Sequence, residues 1–142
     1  MPPKNFEIFE EEAGVRLQVR GKTLEDLFLH ALGGMAFYLK PQTTQMKRNE
    51  FKEWSRIKVE AMDITSLLVE FLSRALAESD LKSTAYSLAT FEKFGENFLE
   101  GKIFGTKVDN FDNEIKAVSF EGVDIRKDSE NGLYATILIF EV

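Results

Sequence analysis

Residues 10–23 read EEEAGVRLQVRGKT, and the fold turns on how this stretch is parsed. Its close, Gly21-Lys22-Thr23, has the look of a phosphate-binding loop, and its start, Glu10-Glu11-Glu12, offers carboxylates to a cation. A phosphate loop needs G-x-x-x-x-G-K-[ST], because the first glycine lets backbone amides curl around phosphate oxygens. Arg16 stands at that position here. Val15, Leu17 and Val19 alternate with Arg16, Gln18 and Arg20, the two-residue period of a strand with one buried face. Gly21-Lys22-Thr23 is therefore a turn and a helix cap.

From Thr23 the period changes to that of a helix. Leu24, Leu27, Phe28, Ala31, Leu32, Met35 and Leu39 fall on one stripe, and Pro41 stops it. Thr23 is placed to cap the first turn, with Asp26 at the position where a carboxylate favours a helix start. Gly33-Gly34 inside this helix costs roughly 1 kcal/mol per glycine relative to alanine, which signals close packing or a bend.

Working outward, Phe6–Phe9 alternates as well and pairs with Val15–Arg20. The polar run PQTTQMKRNE over residues 41–50 is a loop, and Trp54–Met62 a strand with Ile57 and Val59 on one side. Asp63 caps a second helix striped by Ile64, Leu67, Leu68, Phe71, Leu72, Ala75 and Leu76. Beyond Asp80, short Phe, Ile, Val and Tyr segments broken by Gly, Asn and Asp predict antiparallel sheet. The predicted strands are Tyr86–Phe94, Phe98–Phe104, Ile115–Phe120, Val123–Arg126 and Leu133–Glu141. The last is apolar on both sides, so it is expected in the middle of the fold with both faces covered.

The predicted class is α+β: two amphipathic helices on a largely antiparallel sheet arrangement, one domain over residues 1–142. With 44% apolar and 30% charged residues and thirteen Phe, the composition is that of a globular chain able to bury a core. No window approaches the ~18 apolar residues that span a bilayer, and MPPKNFEIFE lacks the apolar core of a signal peptide, so a cytoplasmic protein without a membrane role is expected. The absence of cysteine removes disulfides, thiolate metal sites and cysteine nucleophiles and fits a reducing compartment. A net charge of −6 without a basic run argues against direct nucleic-acid binding.

Few residues carry chemistry. His30, the only histidine, lies off the apolar stripe of its helix and is expected at the surface, where one imidazole makes neither a metal cluster nor a catalytic triad. No nucleophile stands with a base or a cofactor loop, which argues against an enzyme acting alone. A run of three acids is ordinarily a solvated segment, yet hard cations need several converging oxygens. Glu141 and the α-carboxylate of Val142 offer up to four more within two residues.

The order of these pieces resembles the archease family, from about Phe6 to Val142. Family members carry H-T-A-D-[IV]-G after a first strand, then G-K-T-L-E-E-x-F opening the first helix, which residues 21–28, GKTLEDLF, match well. The family's D-L-x-x-L-L-x-x-[WF]-L is matched by residues 63–72, DITSLLVEFL, and E-[VI]-K-A-[VI]-T-Y-H by residues 114–121, EIKAVSFE. The family ending, an aspartate before a final Ile or Val, corresponds to Glu141-Val142. Counted back from Gly21, H-T-A-D falls on Glu11, Glu12, Ala13 and Gly14, so the family's cation-binding aspartate and its histidine are missing, and Glu121 replaces a second histidine.

The resemblance implies an accessory protein, not an enzyme, whose partner is an RtcB-type tRNA-splicing RNA ligase that it helps to load guanylate and turn over. It implies a divalent cation, calcium or magnesium. The altered residues imply that this site is weakened or lost, leaving Glu12, Glu141 and Val142 as the remnant. The other class consistent with these changes is a diverged binding or chaperone-like module with no metal and no role in RNA ligation.

Overall fold

A computed structural model describes residues 5–42 and 50–142. In chain order the elements are β1 (Phe6–Glu11), β2 (Gly14–Gly21), α1 (Leu24–Leu39), β3 (Glu53–Glu60), α2 (Ile64–Lys82), β4 (Thr84–Phe94), β5 (Phe98–Lys107), β6 (Ala117–Ser119), β7 (Arg126–Lys127) and β8 (Tyr134–Glu141). One sheet has the order β1-β2-β8-β6, with β7 also on β8; the other has the order β3-β5-β4. All pairings are antiparallel. The polar loop expected over residues 41–50 lies largely outside the described residues, as do residues 1–4.

Both helix starts follow from their caps. Thr23 accepts the Asp26 amide at 3.0 Å, and Asp63 accepts the Ser66 amide at 2.7 Å, each satisfying a donor the helix itself cannot. Helix α1 ends at Leu39 before Pro41, while α2 runs past the predicted stripe to Lys82. There Ser83 turns into the left-handed region (φ 49°) with its amide bonded to Ser79.

The core is one cluster drawing on both sheets and both helices. Val15, Leu17 and Val19 of β2, Leu138 and Phe140 of β8, and Ile57 and Val59 of β3 all point into it, as their alternation predicts. Four phenylalanines tie the layers: Phe28 of α1 lies 5.8 Å from Phe71 of α2 and 5.0 Å from Phe94 of β4, and Phe91 of β4 lies 5.6 Å from Phe71. Each such pair adds roughly 0.5–1.5 kcal/mol beyond burial. Of Gly33-Gly34, only the second is a close-packing device. A Cβ at Gly34 would stand 2.7 Å from a Leu17 methyl, whereas one at Gly33 would make an ordinary contact 3.9 Å from the Ser87 carbonyl of β4.

Four predictions need correction. The last strand is central in its sheet, bonded to β2 on one edge and to β6 and β7 on the other, but its outer face is open and Ile137 is 38% exposed. Only three of residues 115–120 pair as β6, since Ser119 Oγ accepts the Glu121 amide and turns the chain. Val123–Arg126 shrinks to Arg126–Lys127 because the Asp124 amide bonds the Thr136 hydroxyl in place of a backbone carbonyl. His30 is half-buried, with Nδ1–H donating to the Arg20 carbonyl at 2.6 Å, so it ties α1 to β2 instead of facing solvent.

Gly34→Val should lower stability by about 1–3 kcal/mol through overpacking against Leu17, read as a fall in Tm on thermal unfolding. Unchanged Tm would mean that α1 can move off β2. The Asp63 carboxylate sits below its ordinary pKa of 3.8 because the Ser66 amide, then the Ser66 side chain, stabilise its charge. A lowered folded-state pKa gives stability that is present above the unfolded value and lost as pH falls through the lower folded one. Asp63→Ala should lower Tm at neutral pH, and its deficit relative to the parent should shrink below pH 3.8. A deficit constant down to low pH would assign the loss to something other than this charge.

Candidate metal-binding corner

The register of β8 on β2 puts Val15 opposite Phe140, so the end of β8 passes the hairpin turn that follows β1. On the other edge of β8, Ala117 faces Glu141, and the Lys116 amide donates to the Glu141 carbonyl at 2.7 Å. The acid-bearing start and end of the sequence thus share one corner.

Gly14 shapes that corner. Its φ is +145°, and a Cβ there would lie 2.6 Å from the Phe140 carbonyl oxygen. A side chain at this position would be strained by the backbone and blocked by β8, so Gly14 is a point of close approach between strands. No carboxylate fits where the count back from Gly21 puts the family's aspartate.

The neighbouring acids have diverse surroundings. Burial first, and then the charge of Glu10, pushes the Tyr38 phenol of α1 above its ordinary value, which places Glu10 toward the end of that helix. Glu11 Oε1 lies 2.9 Å from Arg16 Nε, and the Arg16 guanidinium stacks over Phe9 at 4.9 Å from the ring centroid. Glu12 is exposed in the turn, Glu141 is exposed at the end of β8, and Val142 is exposed beside it. Glu121 follows β6 in the direction that leads away from the corner, since Ser119 already faces Ile139.

Among the described residues, no group of three or more His, Cys, Asp or Glu side chains is gathered to hold a metal ion. Of the predicted donors, the fold brings the segments of Glu12, Glu141 and Val142 together but leaves them solvated, with Glu11 drawn off by Arg16. The set does not fit a built cation cage, which needs six to eight converging oxygens. An acidic pair that the sequence analysis missed, Asp80 and Glu114, is assembled by the packing of α2 near β6: burial, then the Glu114 charge, raises the Asp80 carboxyl above its ordinary range. No local pattern links these two positions. No helix among the described residues is long and apolar enough to cross a membrane.

Solved proteins share this architecture. Methanobacterium thermoautotrophicum protein 1598 superposes with a TM-score of 0.75 at 23% identity, covering 97% of this chain and 99% of that one. An archease, possible chaperone, from Thermotoga maritima superposes with a TM-score of 0.64 at 15% identity, over 94% of each chain. In sequence, residues 6–141 match the model of the Archease protein family (MTH1598/TM1083). Protein archease of Saccharolobus islandicus is 30% identical over 141 residues, covering 96% of this chain and 98% of that protein. Protein archease of Pyrococcus furiosus is 27% identical over 131 residues, covering 87% and 89%. The fold is that of the archeases, α+β with two helices on antiparallel sheets. The chain belongs to the archease family.

Gly14→Asp should not create a metal ligand. It is expected to cost about 1–3 kcal/mol of stability, because the new Cβ meets the Phe140 carbonyl at a φ that side chains avoid. Thermal unfolding and calcium calorimetry on the variant check this; tight binding with parental Tm would show that the turn can reshape into a site.

Proposed function

We propose that this chain is an accessory protein that promotes guanylylation and repeated turnover of an RtcB-type tRNA-splicing RNA ligase in the cytoplasm, with a degenerate divalent-cation site and no catalysis of its own. The observation that carries this reading is the family match over residues 6–141, together with the meeting of β2 and β8 at the corner where the resemblance locates the cation. The net charge of −6 suits a protein that leaves the RNA to its partner and binds the enzyme.

The geometry of Gly14 also supports a revised register for the family motif. Set against A-D-[IV]-G, residues 11–14, EEAG, put the turn glycine on Gly14 and a carboxylate on Glu12, with the extra length taken up in β2. Glu12 and Glu141 would then each replace an aspartate by a side chain one methylene longer. Longer, solvated carboxylates must be ordered to converge on an ion, and Arg16 competes for the adjacent Glu11, so affinity falls.

A second reading has its own support. The Thermotoga maritima relative is described as a possible chaperone, and the altered corner suits a diverged binding or chaperone-like module without metal or RNA ligation. Two measurements decide. Calorimetry with calcium or magnesium should show binding in the millimolar range or none; micromolar binding abolished by Glu141→Ala would refute the degenerate site. Adding the protein to the ligase, GTP and a broken tRNA should raise multiple-turnover ligation and the guanylylated fraction. No change in either at excess protein would discard the accessory role and leave the second reading.

A further inference from the structure

Away from the corner, two exposed apolar side chains converge where α2 ends. Trp54, the sole tryptophan, is 56% exposed on β3, and Leu81, next to last in α2, is 78% exposed. Single exposed apolar residues need no explanation, but these two line one groove of 520 Å³ with Tyr86, Lys82 and Lys107. Tryptophan is among the residues in which interface hot spots are enriched.

The base of the groove is held rigidly. Ser55 Oγ accepts from Lys82 Nζ at 2.7 Å, lies 3.0 Å from the Tyr86 hydroxyl and donates to Glu78 Oε2 at 3.1 Å, while Lys82 and Glu78 pair at 3.0 Å. Ser55 and Tyr86 are buried, so the cluster locks the end of α2 onto β3 and β4. Lys82, first, and Ser55 hold the Glu78 carboxylate below its ordinary range, so its charge is already compensated. Two carbonyls of the last turn and that of the cap are also engaged: Ser79 by the Ser83 amide, Lys82 by the Thr84 hydroxyl at 3.0 Å and Ser83 by the Val108 amide at 2.9 Å.

What remains on the rim is cationic. Lys102 Nζ stands 4.8 Å from the centre of the Trp54 ring, and Lys107 makes no ion pair among the described residues. With Lys82 and Glu78 paired to each other and Glu92, near Lys102, paired to Arg56, the two ammonium groups of Lys102 and Lys107 stand against the carboxylate of Glu53, on a chain whose net charge is −6. Such a reversal of local sign selects an anionic approach.

We propose that this groove is the docking site for a protein segment that presents an apolar side chain beside carboxylates, the apolar group seated between Trp54 and Leu81 and the carboxylates on Lys102 and Lys107. The inference rests on the accessory role proposed above, and the partner that supplies the segment is the RNA ligase.

The test uses the full chain labelled with 5-fluorotryptophan, which gives one fluorine resonance, from Trp54, and titrates in the unlabelled ligase of the same organism. Binding is measured independently by calorimetry. The resonance should shift or broaden in step with complex formation. Trp54→Ala, on unlabelled protein, should weaken binding about tenfold or more, as truncating a hot spot does. Lys107→Glu should also weaken it, with a smaller dependence of affinity on salt. Met62→Ala, 94% exposed just before α2, should bind as the parent does. If the ligase binds while the Trp54 resonance stays still and both groove variants keep parental affinity, the docking site is refuted and the accessory role survives. If no ligase binding is measurable, the accessory role fails and the proposal with it. A resonance that moves with the concentration of this protein alone would assign the groove to a second copy and overturn the proposal.

Discussion

The pairing of β2 with β8 is the constraint on which the rest depends. These strands lie at opposite ends of the sequence, and their register, Val15 on Phe140 through Gly21 on Tyr134, closes the chain into one body. The loop-closure entropy of such a contact is recovered only through what it organises: an inner face of Val15, Leu17, Val19, Leu138 and Phe140 on which α1 lies. A slip by one residue would turn the arginines of β2 inward, so burial sets the register firmly. Gly14 belongs to the same constraint, since the Phe140 carbonyl occupies the space a side chain would need.

Helix α1 joins the two sheets. Gly34 lets it down onto Leu17, and Phe28 reaches both Phe71 of α2 and Phe94 of β4. Gly34, which weakens the isolated helix, is therefore what permits its contact with β2, a local cost offset by packing. The polar groups divide accordingly. Acids collect at the corner made by β1, β2 and β8, whereas the far end of α2 carries a carboxylate compensated by Lys82, with Lys102 over the Trp54 ring and Lys107 lining the same groove as Trp54. A chain with one overall sign of charge thus presents two ends of different electrostatic character.

How far the sequence could be read depended on the range of the interaction. Helix caps at Thr23 and Asp63, the alternation of β2 and β3 and the stop at Pro41 were legible because each involves residues a few positions apart. The short reach of β6 and β7 was not, because Ser119 and Thr136 hydroxyls take amides that a strand would have used. The predicted end of β5 at Phe104 fell short of Lys107 because Gly101 and Gly105 leave gaps in the apolar alternation. These gaps receive the Thr90 and Ala85 carbonyls of the bulged β4. The outer face of β8 misled differently: Ala135, Ile137 and Ile139 look like core residues, yet among the described residues they stay half-buried or exposed.

By itself the sequence determined the class, the two helices, the order of elements and the family kinship, since periodicity, capping and motif spacing are written in neighbouring residues. It also named the acids that could serve a cation. The tertiary structure alone decided what those acids are worth: that Glu11 is drawn to Arg16, that Gly14 has no room for a side chain, that His30 fastens α1 to β2, and that Trp54 and Leu81 line one groove. Each of these is a contact whose partner is chosen by strand register or helix docking, and electrostatic and steric worth is set by a partner's position in space.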